Sequence, residues 1–164
     1  MNLKRIQLTF FVDEKESAAI EQVRSKFNPR QYDLIKSHVT LCREYELTDL
    51  EKVTQNLLTL NREPINIHFG QPLRFSDGKG VLMPAIGANQ HFHTLRKLIL
   101  KGISEEPGTQ DPHITLIHPR NGSCTDQIFE EIKKIKLPDN LWFGKISLIE
   151  QVNGGQWDVL KVFE

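Results

Sequence analysis

Residues 6–12, Ile-Gln-Leu-Thr-Phe-Phe-Val, are rich in β-branched and aromatic side chains and read as a first strand. Asp13 is placed to cap a following helix, with Glu16 three residues on and Ile20, Val23 and Phe27 at helical spacing. Asn28-Pro29 ends that helix. After a loop, His38-Val39-Thr40-Leu41 alternates polar and apolar positions as a half-buried strand does. Thr48-x-x-Glu51 then has the form of a capping box opening a helix with Leu50, Val53 and Leu57 on one face. A β-hairpin is expected next, with residues 65–69 and 73–75 leading into 81–86 around the Asp77-Gly78-Lys79-Gly80 turn.

The second half repeats this order. Residues 81–86 take the part of 6–12, 75 positions later. A helix is expected over residues 90–101, with Phe92, Leu95 and Ile99 apolar, and then a loop containing glycine and proline. The strand His113-Ile114-Thr115-Leu116 follows, again 75 positions after its counterpart at His38. Thr125-Asp126 starts a helix with Ile128, Ile132 and Ile135, and residues 141–151 and 156–163 close the chain as a hairpin around Asn153-Gly154-Gly155. Phe69-Gly70 recurs as Phe143-Gly144. Such self-similarity marks an internal duplication. It predicts an α+β fold of two lobes about a pseudo-twofold axis, with the two His-x-Thr strands facing a central cleft. Residues 1–164 are expected to form one bilobal domain, because a lobe of about 80 residues alone has a marginal core.

In each His-x-Thr strand the histidine and threonine share one face while Val39/Leu41 or Ile114/Leu116 share the other. An imidazole beside a hydroxyl is thus offered twice to a common surface. One His-x-Thr tripeptide is an ordinary strand segment; two, at matching places in a duplication, point to a site. Imidazole, with an unperturbed pKa near ~6.5, serves as base or acid at neutral pH. Two of them flanking a phosphorus would activate the attacking oxygen and protonate the departing one, each transfer contributing ~10²–10⁴ in rate. The Thr40 and Thr115 hydroxyls would donate to the non-bridging oxygens as charge builds. The pattern leaves open which histidine is the base.

Composition narrows the partners. Twenty-one Lys+Arg balance 21 Asp+Glu, so no basic field draws in long nucleic acid; a nucleic-acid substrate would be held at an end or as a small nucleotide. Cys42 and Cys124 have no framework spacing, which suits a reducing compartment. The apolar run at residues 6–12 is short and interrupted by Gln7 and Thr9, unlike a signal peptide, and no stretch approaches the ~18–20 apolar residues of a membrane span. A soluble, cytoplasmic monomer that makes no membrane contact is expected. His-Glu-x-x-His, Cys-x-x-Cys and a glycine-rich phosphate loop are all missing from the sequence, so neither a metal nor another cofactor is called for.

The motifs His38-Val-Thr-Leu41 and His113-Ile-Thr-Leu116, on a duplicated α+β frame ending in the Asn153-Gly-Gly-Gln-Trp157 hairpin, resemble the two-histidine (2H) phosphoesterase superfamily. The bacterial 2′-5′ RNA ligase-like branch is the nearest. The resemblance implies a metal-independent phosphoesterase acting on 2′,3′-cyclic or 2′,5′-linked phosphates of RNA ends or small nucleotides. His38, Thr40, His113 and Thr115 would be its catalytic tetrad. Two rival readings stay open: a silent nucleotide- or RNA-end-binding module, and an enzyme for a non-RNA cyclic phosphate such as an ADP-ribose derivative. Some relatives carry an arginine soon after the second motif. Here Arg43 follows the first, and His118-Pro119-Arg120 the second, which makes Arg43, His118 and Arg120 the candidate phosphate contacts. For Arg43 an ion pair with Glu44 or Glu46 is the competing reading.

Tyr32, Phe11 and Phe75 are candidates to stack on a base, against the commoner role of filling a core. Trp142 and Trp157 read as core or lobe-edge residues. Cys42 continues the His38/Thr40 face and is expected near the cleft. His91 and His93, at a helix start, are expected in solvent.

Overall fold

A computed structural model describes residues 2–164. Its elements run β1 (Lys4–Phe11), α1 (Ala18–Phe27), α2 (Pro29–Leu34), β2 (His38–Cys42), α3 (Leu50–Thr59), β3 (Ile65–His68), β4 (Leu73–Arg74), β5 (Val81–Pro84), α4 (Gln90–Ile99), β6 (His113–Ile117), α5 (Asp126–Lys133), β7 (Asn140–Phe143), β8 (Ile146–Val152) and β9 (Trp157–Phe163). Seven strands form one antiparallel sheet in the order β4-β5-β6-β2-β1-β8-β9, and β3 pairs with β7 in a second.

The expected duplication is written into that order. From the centre outward, β6-β5-β4 on one side corresponds to β2-β1-β8 on the other, with β9 added at one edge. The pseudo-twofold axis passes between β2 and β6, where the one registered pair is Val39 with Ile114, each the other's counterpart. The small sheet obeys the same symmetry: Ile65 pairs with Phe143 and His68 with Asn140. Residues 65–68 therefore take their partner from the other half of the chain, and only the end of the segment keeps the expected pairing, through an antiparallel bridge between Phe69 and Ala85. The hairpin proper is made by β4 and β5. Likewise the expected strand over 141–151 breaks at Gly144-Lys145, its first part serving the small sheet and its second pairing with β1.

Register also corrects the first-strand correspondence. Leu8 pairs with Cys42 and Thr9 with Thr40, whereas Val81 pairs with Ile117 and Leu82 with Thr115. Val81 thus stands where Leu8 stands, two residues off the 75-residue spacing. Because strand side chains repeat every two residues, a slip of two leaves the inward and outward faces unchanged, which is why hydrophobic pattern alone did not reveal it.

Local chemistry explains the remaining boundaries. Asp13 does not cap α1. Its carboxylate accepts from the Lys15 N–H at 2.8 Å in a preceding turn, and the helix begins after Ser17. Pro29 ends α1 but also opens α2, since a proline at the first helical position sacrifices no hydrogen bond. Asp49, not Thr48, caps α3, accepting from the Lys52 N–H. Thr125 caps α5 as expected. The apolar face of the large sheet, with Leu8, Phe10, Val39, Leu41, Ile114 and Leu116, is covered by Ile20 and Val23 of α1, Val53 and Leu57 of α3, and Phe92, Leu95 and Ile99 of α4. The opposite face is left for the cleft.

Candidate active site

Val39 opposite Ile114 dictates the neighbouring positions. In that register His38 stands across from Thr115 and Thr40 across from His113, all four on the cleft face with the histidines on a diagonal. Diagonal neighbours in a sheet lie ~7–8 Å apart, a spacing that leaves room for one tetrahedral phosphate. All four side chains are half-buried, and both motif strands show one burial pattern. Among the described residues no hydrogen-bond partner occupies the hydroxyl of Thr40 or Thr115.

The two rings are oriented in the same way. Nδ1 of His38 lies 2.8 Å from the Lys36 carbonyl oxygen, and Nδ1 of His113 lies 3.0 Å from that of Asp111. A carbonyl only accepts, so each Nδ1 carries the hydrogen and each neutral ring presents the Nε2 lone pair. Each ring also meets a phenylalanine edge-on, at 6.2 Å between centroids: Phe11 for His38 and Phe75 for His113. Here the lobes differ. Phe11 lies beside His38 on β1, but the matching place beside His113 is Pro84, so Phe75 arrives from the β4–β5 turn instead. Gly80 permits this, because a Cβ there would collide with the Phe75 ring and with Pro119.

Buried arginines hold the backbone leading into both motifs. Arg24 donates to the Ile35 carbonyl and pairs with Glu21, which in turn accepts from the Ser37 N–H at 2.9 Å. These bonds fix the residues immediately before His38. In the other lobe Arg96, 2% exposed, donates to the carbonyls of Leu41 and Gly108 and pairs with Glu46. Gln110 joins the cluster, accepting from Arg96 and donating to the Thr40 carbonyl. One buried cluster thus ties the end of the first motif to the segment that starts the second. Neither arginine stood out in the sequence; a cationic residue on the apolar side of each helical stripe was the available signal.

Arg43 and His118 stand at matching places, 75 positions apart. Arg43 is exposed and lines a cavity of about 450 Å³ together with His113. No carboxylate pairs with its guanidinium among the described residues. Glu44 is engaged by Arg5 and Glu46 by Arg96, so the expected ion pair is not formed; only the Arg43 N–H meets the Glu46 carboxylate. His118 is half-buried, and its Nδ1 accepts from the Arg120 N–H at 3.1 Å, which leaves Nε2 to carry the hydrogen. The His118 N–H itself donates to buried Asn28, whose amide also grips Asn121. Gly122 makes room for that amide. The Arg120 side chain is exposed, with its charge near His118.

Charge and burial act together on these histidines. His38 is pushed down to about 4, first by burial and then by the charges of Arg24, His113 and His118, against the opposing hydrogen bond to Lys36. His118 is also pushed down to about 4, by burial and by Arg120, Arg5, His113 and Arg43. The charges of Arg120, Arg5 and Arg43 thus all bear on His118, and at neutral pH His38 and His118 are uncharged.

Cys42 is a correction. In both motif strands the residue after threonine bulges, Leu41 between the Thr40 and Cys42 pairs and Leu116 between the Thr115 and Ile117 pairs. A bulge turns the next side chain, so Cys42 enters the core rather than the cleft, and burial pushes its thiol up to about 12. Of the two expectations for Trp142, core or lobe edge, only the second survives: the residue is 59% exposed. Among the aromatic candidates Tyr32 is exposed, while Phe11 and Phe75 flank the histidines. His91 is exposed, whereas His93 is half-buried. No group of three or more His, Cys, Asp or Glu side chains is placed to hold a metal ion among the described residues, and no helix is long and apolar enough to cross a membrane.

The fold and the paired His-x-Thr strands define a two-histidine phosphoesterase class of protein. A sequence profile of the 2′-5′ RNA ligase superfamily matches residues 11–155, and the chain belongs to that superfamily. A Bacillus pumilus protein named "Putative phosphoesterase" is 23% identical over 164 residues, covering 95% of this chain and 94% of its own. E. coli LigT, crystallised with NADP+, shares the fold at a TM-score of 0.67 and 14% identity, over 98% of this chain and 96% of that one. Thermus thermophilus TT0787 shares it at 0.64 and 19% identity, over 97% and 96%.

Proposed function

We propose that the chain is a metal-independent phosphodiesterase that opens 2′,3′-cyclic phosphates, or cleaves 2′,5′ linkages, at RNA ends or on small nucleotides. The observation that carries this reading is the diagonal pair of imidazoles with both Nε2 atoms free. His38, neutral at working pH, takes the proton of the attacking water through Nε2. His113 enters the cycle as the imidazolium and, as the P–O bond to the ribose oxygen breaks, delivers its Nε2 proton to that oxygen, leaving a phosphomonoester and a free hydroxyl; the proton held by His38 then returns to His113 through solvent for the next turnover. Run in reverse, the same pair forms a linkage. Thr40 and Thr115 donate to the non-bridging oxygens, while Arg43 and the Nε2–H of His118, with Arg120 behind it, hold the remaining charge. Crystals of E. coli LigT hold phosphate, ATP, 3′-AMP and NADP+, ligands of the same chemistry.

A substrate panel tests the reading: adenosine 2′,3′-cyclic phosphate, 2′,5′-linked diadenosine phosphate and a cyclic phosphate of ADP-ribose. Turnover of either RNA-type substrate supports it. Turnover of the ADP-ribose compound alone moves the substrate class, and binding without product leaves a nucleotide-binding module.

A further inference from the structure

From His38 a groove of about 1,100 Å³ runs away from the axis over the β1-β8-β9 wing. Its near end is Phe11, the ring set edge-on to His38, together with Lys36 and Ser37 of the segment that orients that histidine. Farther out it is walled by Tyr32, Trp142 and Trp157. Tyr32 and Trp142 are 41% and 59% exposed, an unusual investment of aromatic surface in solvent. The Trp157 ring is held by the Arg5 guanidinium at 5.4 Å. The smaller cavity on the His113 side carries a single aromatic in its lining, Tyr45, among the polar groups of Arg43, Glu46, Thr109, Gln110 and Asp111.

Electrostatics identify the occupant. Both lysines on the groove are already engaged, Lys36 by Glu14 at 2.9 Å and Lys145 by Glu164 at 3.3 Å. Asp13 and Asp33 add uncompensated negative charge to its rim. A run of phosphates would be repelled there, whereas an uncharged aromatic base gains from stacking and meets no penalty. On the other wing the cavity sets Arg43, whose guanidinium meets no carboxylate among the described residues, beside His113.

We propose that this groove is the nucleoside subsite. It takes the single base and ribose on the His38 side of the reacting phosphate, so the enzyme's ligand is a mononucleotide or one terminal nucleoside rather than an RNA strand lying along the surface. This assignment rests on the two-histidine reading of the site. Tyr32 and Trp142 are binding residues here, remote from the reacting atoms.

The full-length chain is titrated with inorganic phosphate, with 3′-AMP and with a hexanucleotide bearing a 3′-phosphate, and the titrations are repeated for Tyr32→Ala, Trp142→Ala and His38→Ala. The expected result is 3′-AMP binding at least tenfold tighter than phosphate. The hexanucleotide should bind no tighter than 3′-AMP, with a salt dependence of about one phosphate contact. Tyr32→Ala and Trp142→Ala should each weaken 3′-AMP about tenfold and leave phosphate unchanged. Equal affinity for phosphate and 3′-AMP overturns the proposal, as does nucleotide binding that neither aromatic variant alters. Affinity that climbs with oligonucleotide length also overturns it. So does a concentration-dependent doubling of mass that Trp142→Ala abolishes, which would make the groove a contact between two copies. If His38→Ala still turns over adenosine 2′,3′-cyclic phosphate while Tyr32→Ala weakens 3′-AMP binding, the subsite stands and the catalytic reading fails. If His38→Ala loses turnover while neither aromatic variant alters 3′-AMP binding, the reverse holds.

Discussion

Val39 pairs with Ile114 across the junction of β2 and β6, each residue facing its own counterpart in the duplication. This single pair aligns the two motifs, because it sets each histidine opposite the other motif's threonine. It also joins the two halves of the large sheet. Ile114 is fully buried, and trimming it removes contacts from both sides of the axis at once. Ile114→Ala should cost about 2–5 kcal/mol, read as a lower urea midpoint. Unfolding should remain one cooperative transition for wild type and variant alike. Two separate transitions would mean that the lobes are independent units.

The Arg96–Glu46 pair is buried beneath both motifs, and it predicts an asymmetric response. Removing one partner strands the other in the interior, so Arg96→Met should destabilise by about 3–5 kcal/mol. Arg96→Lys should recover only part of that loss, since an ammonium does not reproduce the fork that reaches Glu46, Leu41 and Gly108 together. Urea midpoints decide it. A fully stable Arg96→Lys variant would show that charge alone suffices.

Two histidines depressed to about 4 make stability depend on pH in a defined window. The unfolded chain takes up protons on His38 and His118 near pH 6.5, but the folded protein resists until about 4. Stability is therefore unaffected by them above about pH 7, declines as pH falls from about 6.5 to 4, and loses nothing more from them below that. His118→Asn should flatten part of the slope in urea midpoints measured across this range. An unchanged slope would show that His118 is not held neutral.

Cys42, with its thiol pushed up by burial and its side chain turned inward, should stay inert. An aromatic disulfide reagent should leave it unmodified in the native protein and label it after addition of urea. Rapid labelling of Cys42 in the folded state would place it in the cleft after all.

Much of this architecture is legible in the chain because duplication writes each signal twice. The alternation in His38–Leu41 and His113–Leu116 marks two strands that share one half-buried face, and Ile20, Val23, Phe92, Leu95 and Ile99 mark helical stripes that are indeed buried. What escapes the sequence are long-range choices. Residues 65–68 carry strand character, but nothing local says that their partner lies at 140–143. The bulges at Leu41 and Leu116 depend on pairing with β1 and β5, so Cys42 reads as facing the cleft when it does not. The holding network escapes for the same reason. Arg24 and Arg96 look like ordinary helical cations until the fold brings the carbonyls of Ile35 and Leu41 to them. His38, Thr40, His113 and Thr115 were visible; the residues that aim them were not.

In the proposed reaction His38 and His113 share one phosphate as base and acid without a metal. Turnover of adenosine 2′,3′-cyclic phosphate in excess chelator, for wild type, His38→Ala and His113→Ala, tests it most directly. Undiminished wild-type turnover is predicted, with kcat lowered about 10²–10⁴-fold in each variant and urea midpoints little changed. Activity that requires added metal, or that persists in both histidine variants, would contradict the claim.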